Sequence, residues 1–212
     1  MEELTKLFRI HQGLAQDKEE QKIESLHLDA TEREIERNVD PEAQKEDYSG
    51  KQGTHTLKNS VICDEFQFIH FAGFTHRGAI HDKAMIEQEI PHFNDLQTPF
   101  LWFTKDKGYQ AYCPEGVFLL EPYKAARNHP LTGLQKLVNS WISSVRVVCE
   151  HAISGIKRCR LLKEPLRYFD SILRDQFFFI ACGLHILRVT ARKDNYSNGA
   201  LRTCARINLI FS

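Results

Sequence analysis

Between positions 132 and 156, apolar residues recur every three or four positions: Leu134, Val138, Trp141, Ile142, Val145, Val148, Cys149, Ala152 and Ile156. That is the helical period, so the stretch predicts one long helix with a continuous apolar stripe. Thr132, the first hydroxyl before the run, is its expected N-cap. The stripe must be buried against something, and the segments upstream offer strands. Ile23, Leu26 and Leu28 lead into Asp29, which reads as a strand ending in an acidic residue. Residues 54–63 and 65–74 both alternate, and Asp64-Glu65 between them resembles a hairpin turn. Residues 100–104 (FLWFT) form a compact apolar strand that also ends at an acidic residue, Asp106, and residues 117–120 form a further short one.

Other segments fill the order. Residues 1–20 read as a short amphipathic helix with Leu4, Leu7, Phe8 and Leu14. Residues 31–53 are polar, with Pro41, Gly50 and Gly53, and read as a loop or short helix inserted before the next strand. Residues 81–90 predict a short helix stopped by Pro91. Residues 171–192 predict a last helix, apolar almost all round through FFFIACGLHIL and therefore buried. Strands first and helices after, with an antiparallel hairpin near the start, imply an α/β fold with a mixed sheet. The expected division is a helical segment at 1–21, one α/β domain at 22–192 and a tail at 193–212. With 212 residues, 42% of them hydrophobic, the chain can build such a core.

The formal net charge is zero, which alone argues against nucleic acid, but the average hides an asymmetry. Residues 1–50 carry 14 acidic and 7 basic side chains. Residues 143–167 carry six basic side chains (Arg146, Lys157, Arg158, Arg160, Lys163, Arg167) against Glu150 and Glu164. A local basic patch can hold a polyanion even on a neutral protein, although such a run is commonly just a solvated face. The six cysteines form no CxxC pair and suit free thiols in a reducing compartment, with Cys149 and Cys182 packing as small hydrophobes. The start MEELTKLF lacks the organisation of a signal peptide, and no apolar stretch reaches the roughly 18–20 residues of a membrane span.

The chemistry concentrates on carboxylates that strands deliver. In open α/β sheets, sites gather at the carboxyl ends of strands. Asp29 and Asp106 presented there by adjacent strands would repel unless a cation sits between them, and Mg²⁺ takes oxygen ligands readily. A single aspartate after a strand is more often a turn residue. On the long helix, Glu150 lies about 40° from Arg146 and about 20° from Lys157, on the side away from the apolar stripe. On spacing alone that is an ordinary i,i+4 ion pair. His70, His76 and His81 fit no compact zinc pattern. Residues 177–179 (FFF) read as core rather than a base-stacking platform.

Four segments in order, LHLDATEREIERNVDPEAQKEDYSGKQGTHTLKNSVI, GAIHDKAM, TKDKGYQAY and ISSVRVVCEHAISGIKRCRLLKEPLR, resemble the DDE superfamily endonucleases of bacterial insertion sequences, relatives of the PIF/Harbinger transposases. ACGLHILR resembles the closing helix of that family. The resemblance covers roughly residues 22–190. It implies a ribonuclease-H-like mixed sheet flanked by helices. It also implies a metal-dependent strand cleavage and strand transfer centre built on Asp29, Asp106 and Glu150, holding two Mg²⁺ or Mn²⁺ ions. Asp82 of the HDK motif would be auxiliary. Arg146, Lys157, Arg158 and Lys58 would contact DNA, with His55 beside Lys58. The partners implied are transposon ends, target DNA and further copies of the chain, in the cytoplasm near the nucleoid and away from membranes. The family usually carries a helix-turn-helix region before the first strand. Here about twenty residues precede it, too few for a module with its own core. The alternative expectation is therefore a truncated or degenerate transposase that folds and binds DNA or a partner transposase without specific catalysis.

Overall fold

The computed structural model describes residues 23–89, 102–109, 112, 117–125, 130–167 and 170–196. The expected N-terminal helix, the stop at Pro91, Cys113, Cys204 and most of the tail lie outside them. The elements are β1 (Ser25–Glu34), α1 (Pro41–Asp47), β2 (Tyr48–Ser49), β3 (Thr54–Asp64), β4 (Ile69–Ala72), β5 (His76–Arg77), α2 (Asp82–Glu89), β6 (Trp102–Lys105), β7 (Phe118–Leu120), α3 (Gly133–Ile156), α4 (Arg160–Lys163) and α5 (Ser171–Tyr196). The sheet runs β2-β3-β1-β6-β7, with β4 and β5 also paired to β3. β1 lies antiparallel to β3 and parallel to β6, and β6 lies parallel to β7. This is the mixed α/β sheet expected of a ribonuclease-H-like fold.

Side chains alternate across the sheet, and each face has its own cover. Leu26, Leu28, Ile62 and Phe103 pack with Met85 and Ile86 of α2 and with Tyr109. Val61, Cys63 and Ile69 pack on the opposite face with Cys149, Ala152 and Ile156 of α3 and Phe178, Cys182 and Ile186 of α5. Cys63, Cys149, Cys159 and Cys182 are free thiols.

Three expectations change. β1 does not end at Asp29 but continues to Glu34, because the 11-residue β3 keeps pairing with it from Leu26↔Asp64 to Glu34↔Thr56. The rest of the polar stretch, expected as a loop or short helix, contains the short helix α1 and the two-residue β2. The apolar stripe of α3 is buried only from Ile142 onward. Ile142, Cys149, Ala152 and Ile156 are covered, whereas Leu134 and Trp141 stand 73% and 56% exposed. The first turns of α3 meet the loop before them instead, through Asn139, whose side chain accepts from the Tyr123 N–H and donates to its carbonyl. Finally, α5 is not buried all round. Sheet and α3 cover one side, leaving Ile180 and Leu184 each 50% exposed.

The N-cap expectation holds. The Thr132 hydroxyl accepts from the Gln135 N–H, and the Gln135 side chain accepts from the Thr132 N–H, closing a capping box. Such a cap stabilises a helix by about 1 kcal/mol.

α3 and α5 cross at Gly155, where a Cβ would come 2.2 Å from Nδ1 of His185. His185 is buried and cannot retreat easily, because its Nε2 donates to the Gln67 carbonyl at 3.0 Å. Gly155→Ala is therefore expected to destabilise the fold by about 1–3 kcal/mol through overpacking. Chemical denaturation should show a lower midpoint with an unchanged slope.

Candidate active site

The parallel ladder of β1 and β6 closes at Leu28↔Lys105. Asp29 and Asp106 are the next residues on the two chains. Adjacent strands lie about 4.8 Å apart, so the register sets these two carboxylates side by side. Two residues earlier on the same face, His27 Nδ1 and Thr104 Oγ1 meet at 2.7 Å. The chain then turns away through a short 3₁₀ turn at Lys107–Tyr109, closed by the Tyr109 N–H donating to the Asp106 carbonyl.

Asp29 sits in mid-strand beneath α3. Burial pushes its carboxyl up to about 6, and the neighbouring Asp106 adds to the rise. The Ala30 N–H, donating to Oδ1 at 2.8 Å, and the more distant Arg146 and Lys51 oppose it. Arg146 reaches down from α3 and pairs with Asp106, Nη2 to Oδ1 at 2.8 Å, with both side chains largely covered. A positive group thus already lies against the two carboxylates.

Glu150 stands one turn further along α3 and is exposed. It opens on a cleft of about 860 Å³ lined also by Ser154, Lys157, Arg158, Arg160 and Lys163. Among the described residues, no three His, Cys, Asp or Glu side chains form a ready metal cluster. The structure therefore brings Asp29 and Asp106 together with Arg146, while Glu150 is exposed on the neighbouring cleft.

The expected DNA contacts divide. Arg158 is exposed. Lys157 is half-buried, and its Nζ donates to the Glu32 carbonyl at 2.9 Å. Burial lowers its pKa, with Glu32 opposing. Lys58 is 7% exposed, so it does not face outward as expected. Its ammonium is spent inside the fold on Asp82 Oδ1 and the Ile80 carbonyl, both at 3.1 Å, with Glu32 at 3.8 Å. His55 packs edge-on against Tyr48. The other candidates for a metal are committed elsewhere: His70 pairs with Asp64 and His76 with Glu89. Phe178 is fully buried, as expected for core.

Sequence reasoning missed Glu32 and the contact of Asp82 with Gly108, where a Cβ would come 2.4 Å from Asp82 Oδ2. Glu32 accepts from the Thr56 hydroxyl at 3.0 Å and faces Lys58 across the β1–β3 ladder. A Glu–Lys cross-strand pair is a legible signal, but only once the register is known. Arg33 was also missed. It is 4% exposed, donates to Asn59, Thr75 and the Arg174 carbonyl, and lies 5.6 Å from the centre of the Phe178 ring.

Comparison with known proteins adds three findings. The family described as DDE superfamily endonuclease matches residues 28–185. A protein from Microchaete diplosiphon, described as a probable transposase for insertion sequence element IS702, is 29% identical over 140 residues. That match covers 66% of this chain and 49% of the relative, so the chain spans about half the length of the curated relative it matches. No solved structure matches. Among the described residues, no helix is long and apolar enough to cross a membrane.

Proposed function

This chain belongs to the DDE superfamily endonucleases, and on that premise we propose that it is the catalytic domain of a transposase, cutting and joining DNA strands at Asp29, Asp106 and Glu150. The observation that carries the reading is the pair of carboxylates set side by side at the end of a parallel ladder, one of them desolvated and raised to about 6. Two such groups are stable together when a cation lies between them. Their oxygens are the donor chemistry that a hard divalent ion selects, so the residues fit Mg²⁺ or Mn²⁺.

A pair of such ions supplies the Lewis acidity for in-line displacement at phosphorus. Asp29 and Asp106 would hold them, and Glu150 would complete the set from α3. Arg146, which now neutralises Asp106, would have its guanidinium free for phosphate oxygens once Asp106 is engaged. Packing of α3 on the strands leaves Asp29 only partly open to water, which strengthens charge interactions there. The substrates would be the ends of a mobile element and its target, handled by an assembly of chains near the nucleoid.

A second reading is a domain that folds and binds DNA or a partner transposase without cutting. The pairing of Asp106 with Arg146, a cation of the chain's own, favours it. The discriminating assay is nicking of supercoiled DNA in Mg²⁺ or Mn²⁺, run beside Asp106→Ala. Nicking by the unaltered chain and loss of it in the variant is the expected result. Equal rates in both would overturn the site, and a folded chain that binds duplex but never nicks would leave the second reading.

A further inference from the structure

We propose that Arg158, Arg188 and Arg192, at the crossing of α3 and α5, form a DNA phosphate-binding surface continuous with the cleft beside Glu150. The inference deepens the DNA reading above and rests on it.

Arg188 and Arg192 are one turn apart on α5, so they lie on one ridge. Arg188 Nη1 donates to the Gly155 carbonyl at 3.1 Å, and the Arg158 backbone N–H meets the same carbonyl at 3.4 Å. The Arg188 guanidinium is thus anchored on the carbonyl that the Arg158 backbone also meets, which brings α5 against the turn that carries Arg158. Among the described residues, no carboxylate pairs with Arg158, Arg188 or Arg192. The contrast is with Arg77, Arg146, Arg160 and Arg167, each of which has an acidic partner within 3.3 Å.

The three bear on one another. Partial burial lowers the Arg188 pKa, and Arg158 and Arg192 lower it further. The same three act on buried His185, whose pKa falls first through desolvation. The negative end of the α3 dipole offsets part of this repulsion. The rest is uncompensated, and an incoming anion would relieve it.

Arg158 also lines the cleft that holds Glu150, Lys157, Arg160 and Lys163. Glu164 lines it too and is paired with Arg160, so Arg158 is the cation without a carboxylate partner that joins the α5 arginines to this cleft. Guanidinium forks match phosphate oxygens two at a time, and two of them along α5 with a third in the turn after α3 suit a repeating phosphate backbone better than a single small anion.

The test is binding of a fluorescent duplex oligonucleotide by the full chain, in EDTA, followed by anisotropy from about 50 to 200 mM salt. The Arg158→Ala/Arg188→Ala/Arg192→Ala variant should lose at least about tenfold in affinity. Its log–log salt slope should be shallower by roughly two to three, since each lost phosphate contact removes about 0.9. Lysine at positions 188 and 192 should keep most of the slope. Because Arg188 also caps α3, Arg158→Ala/Arg192→Ala is the control for folding; both residues are exposed, and the slope should still fall by about two. An unchanged slope in either variant would overturn the surface. So would a chain that binds anionic phospholipid vesicles in preference to duplex. Nicking is measured separately, in metal. Loss of nicking with arginine-dependent binding intact would sink the cleavage reading alone, and Asp106-dependent nicking with an unchanged slope would sink this surface alone.

Discussion

Asp29→Asn should abolish metal-dependent cleavage and, in the metal-free protein, make the fold more stable at neutral pH. The first effect follows from removing one of two adjacent carboxylates that would hold the ions, and a loss on the order of 10³-fold is expected for a centre that works by charge stabilisation. The second follows from the environment. The carboxyl ordinarily titrates near 3.8 but is raised to about 6 here by burial, with Asp106 adding to it. Below about pH 4 the group is protonated in folded and unfolded chains alike, and it costs nothing. Between about 4 and 6 the unfolded chain gives up its proton while the folded one keeps it, so stability falls as pH rises. Above about 6 the full penalty is in place, roughly 2–3 kcal/mol from a shift of about two units. Asparagine carries no charge and can still accept the Ala30 N–H. Its stabilising effect should therefore be full at pH 8, partial at pH 5 and absent at pH 3.5, measured by urea denaturation in EDTA. A variant no more stable than the parent at pH 8 would mean that Arg146 already compensates the carboxylate.

The long helix, its cap and the hairpin were legible because their signals are local. Period, hydroxyl and turn residues lie within a few positions of one another, and Thr132 and Asp64-Glu65 behave as their neighbourhood dictates. What failed depended on distant chain. A helical wheel sets Arg146 beside Glu150, four residues away, yet in the fold Arg146 reaches across to Asp106, forty residues away in sequence. The wheel treats the helix as isolated, and the sheet beneath it offered a better partner. Lys58 shows the same limit. Alternation placed it in a strand, but only the β1–β3 register decides that it faces Glu32 and Asp82 inside the fold. Exposure of Leu134, Trp141, Ile180 and Leu184 was also hidden, because period reports which residues share a side and not how far the covering layer extends. The adjacency of Asp29 and Asp106 lies between these cases. The motifs singled out both residues, and the parallel register, unknown from sequence, sets them together.

Gly108→Ala should slow cleavage by about 10–100-fold although it removes no carboxylate. Gly108 belongs to the turn that follows Asp106, and an added Cβ would stand 2.4 Å from Asp82 Oδ2 and 3.3 Å from its Cγ. A surface carboxylate would swing aside. Asp82 cannot do so freely, because its other oxygen is held by Lys58 Nζ, and Lys58 is itself buried and tied to the Ile80 carbonyl. The turn must yield instead, and Asp106 moves with it relative to Asp29. A displacement near 1 Å in a reacting constellation costs on the order of 10²-fold, and the overpacking itself should cost about 1–3 kcal/mol of stability. If contact with Asp82 is the route, the effects of Gly108→Ala and Asp82→Ala on cleavage should not add, since removing the carboxylate also removes the clash. Their combination should then be no slower than the slower single variant. Strict additivity would show that the alanine acts through turn conformation alone and that Asp82 does not set the position of Asp106.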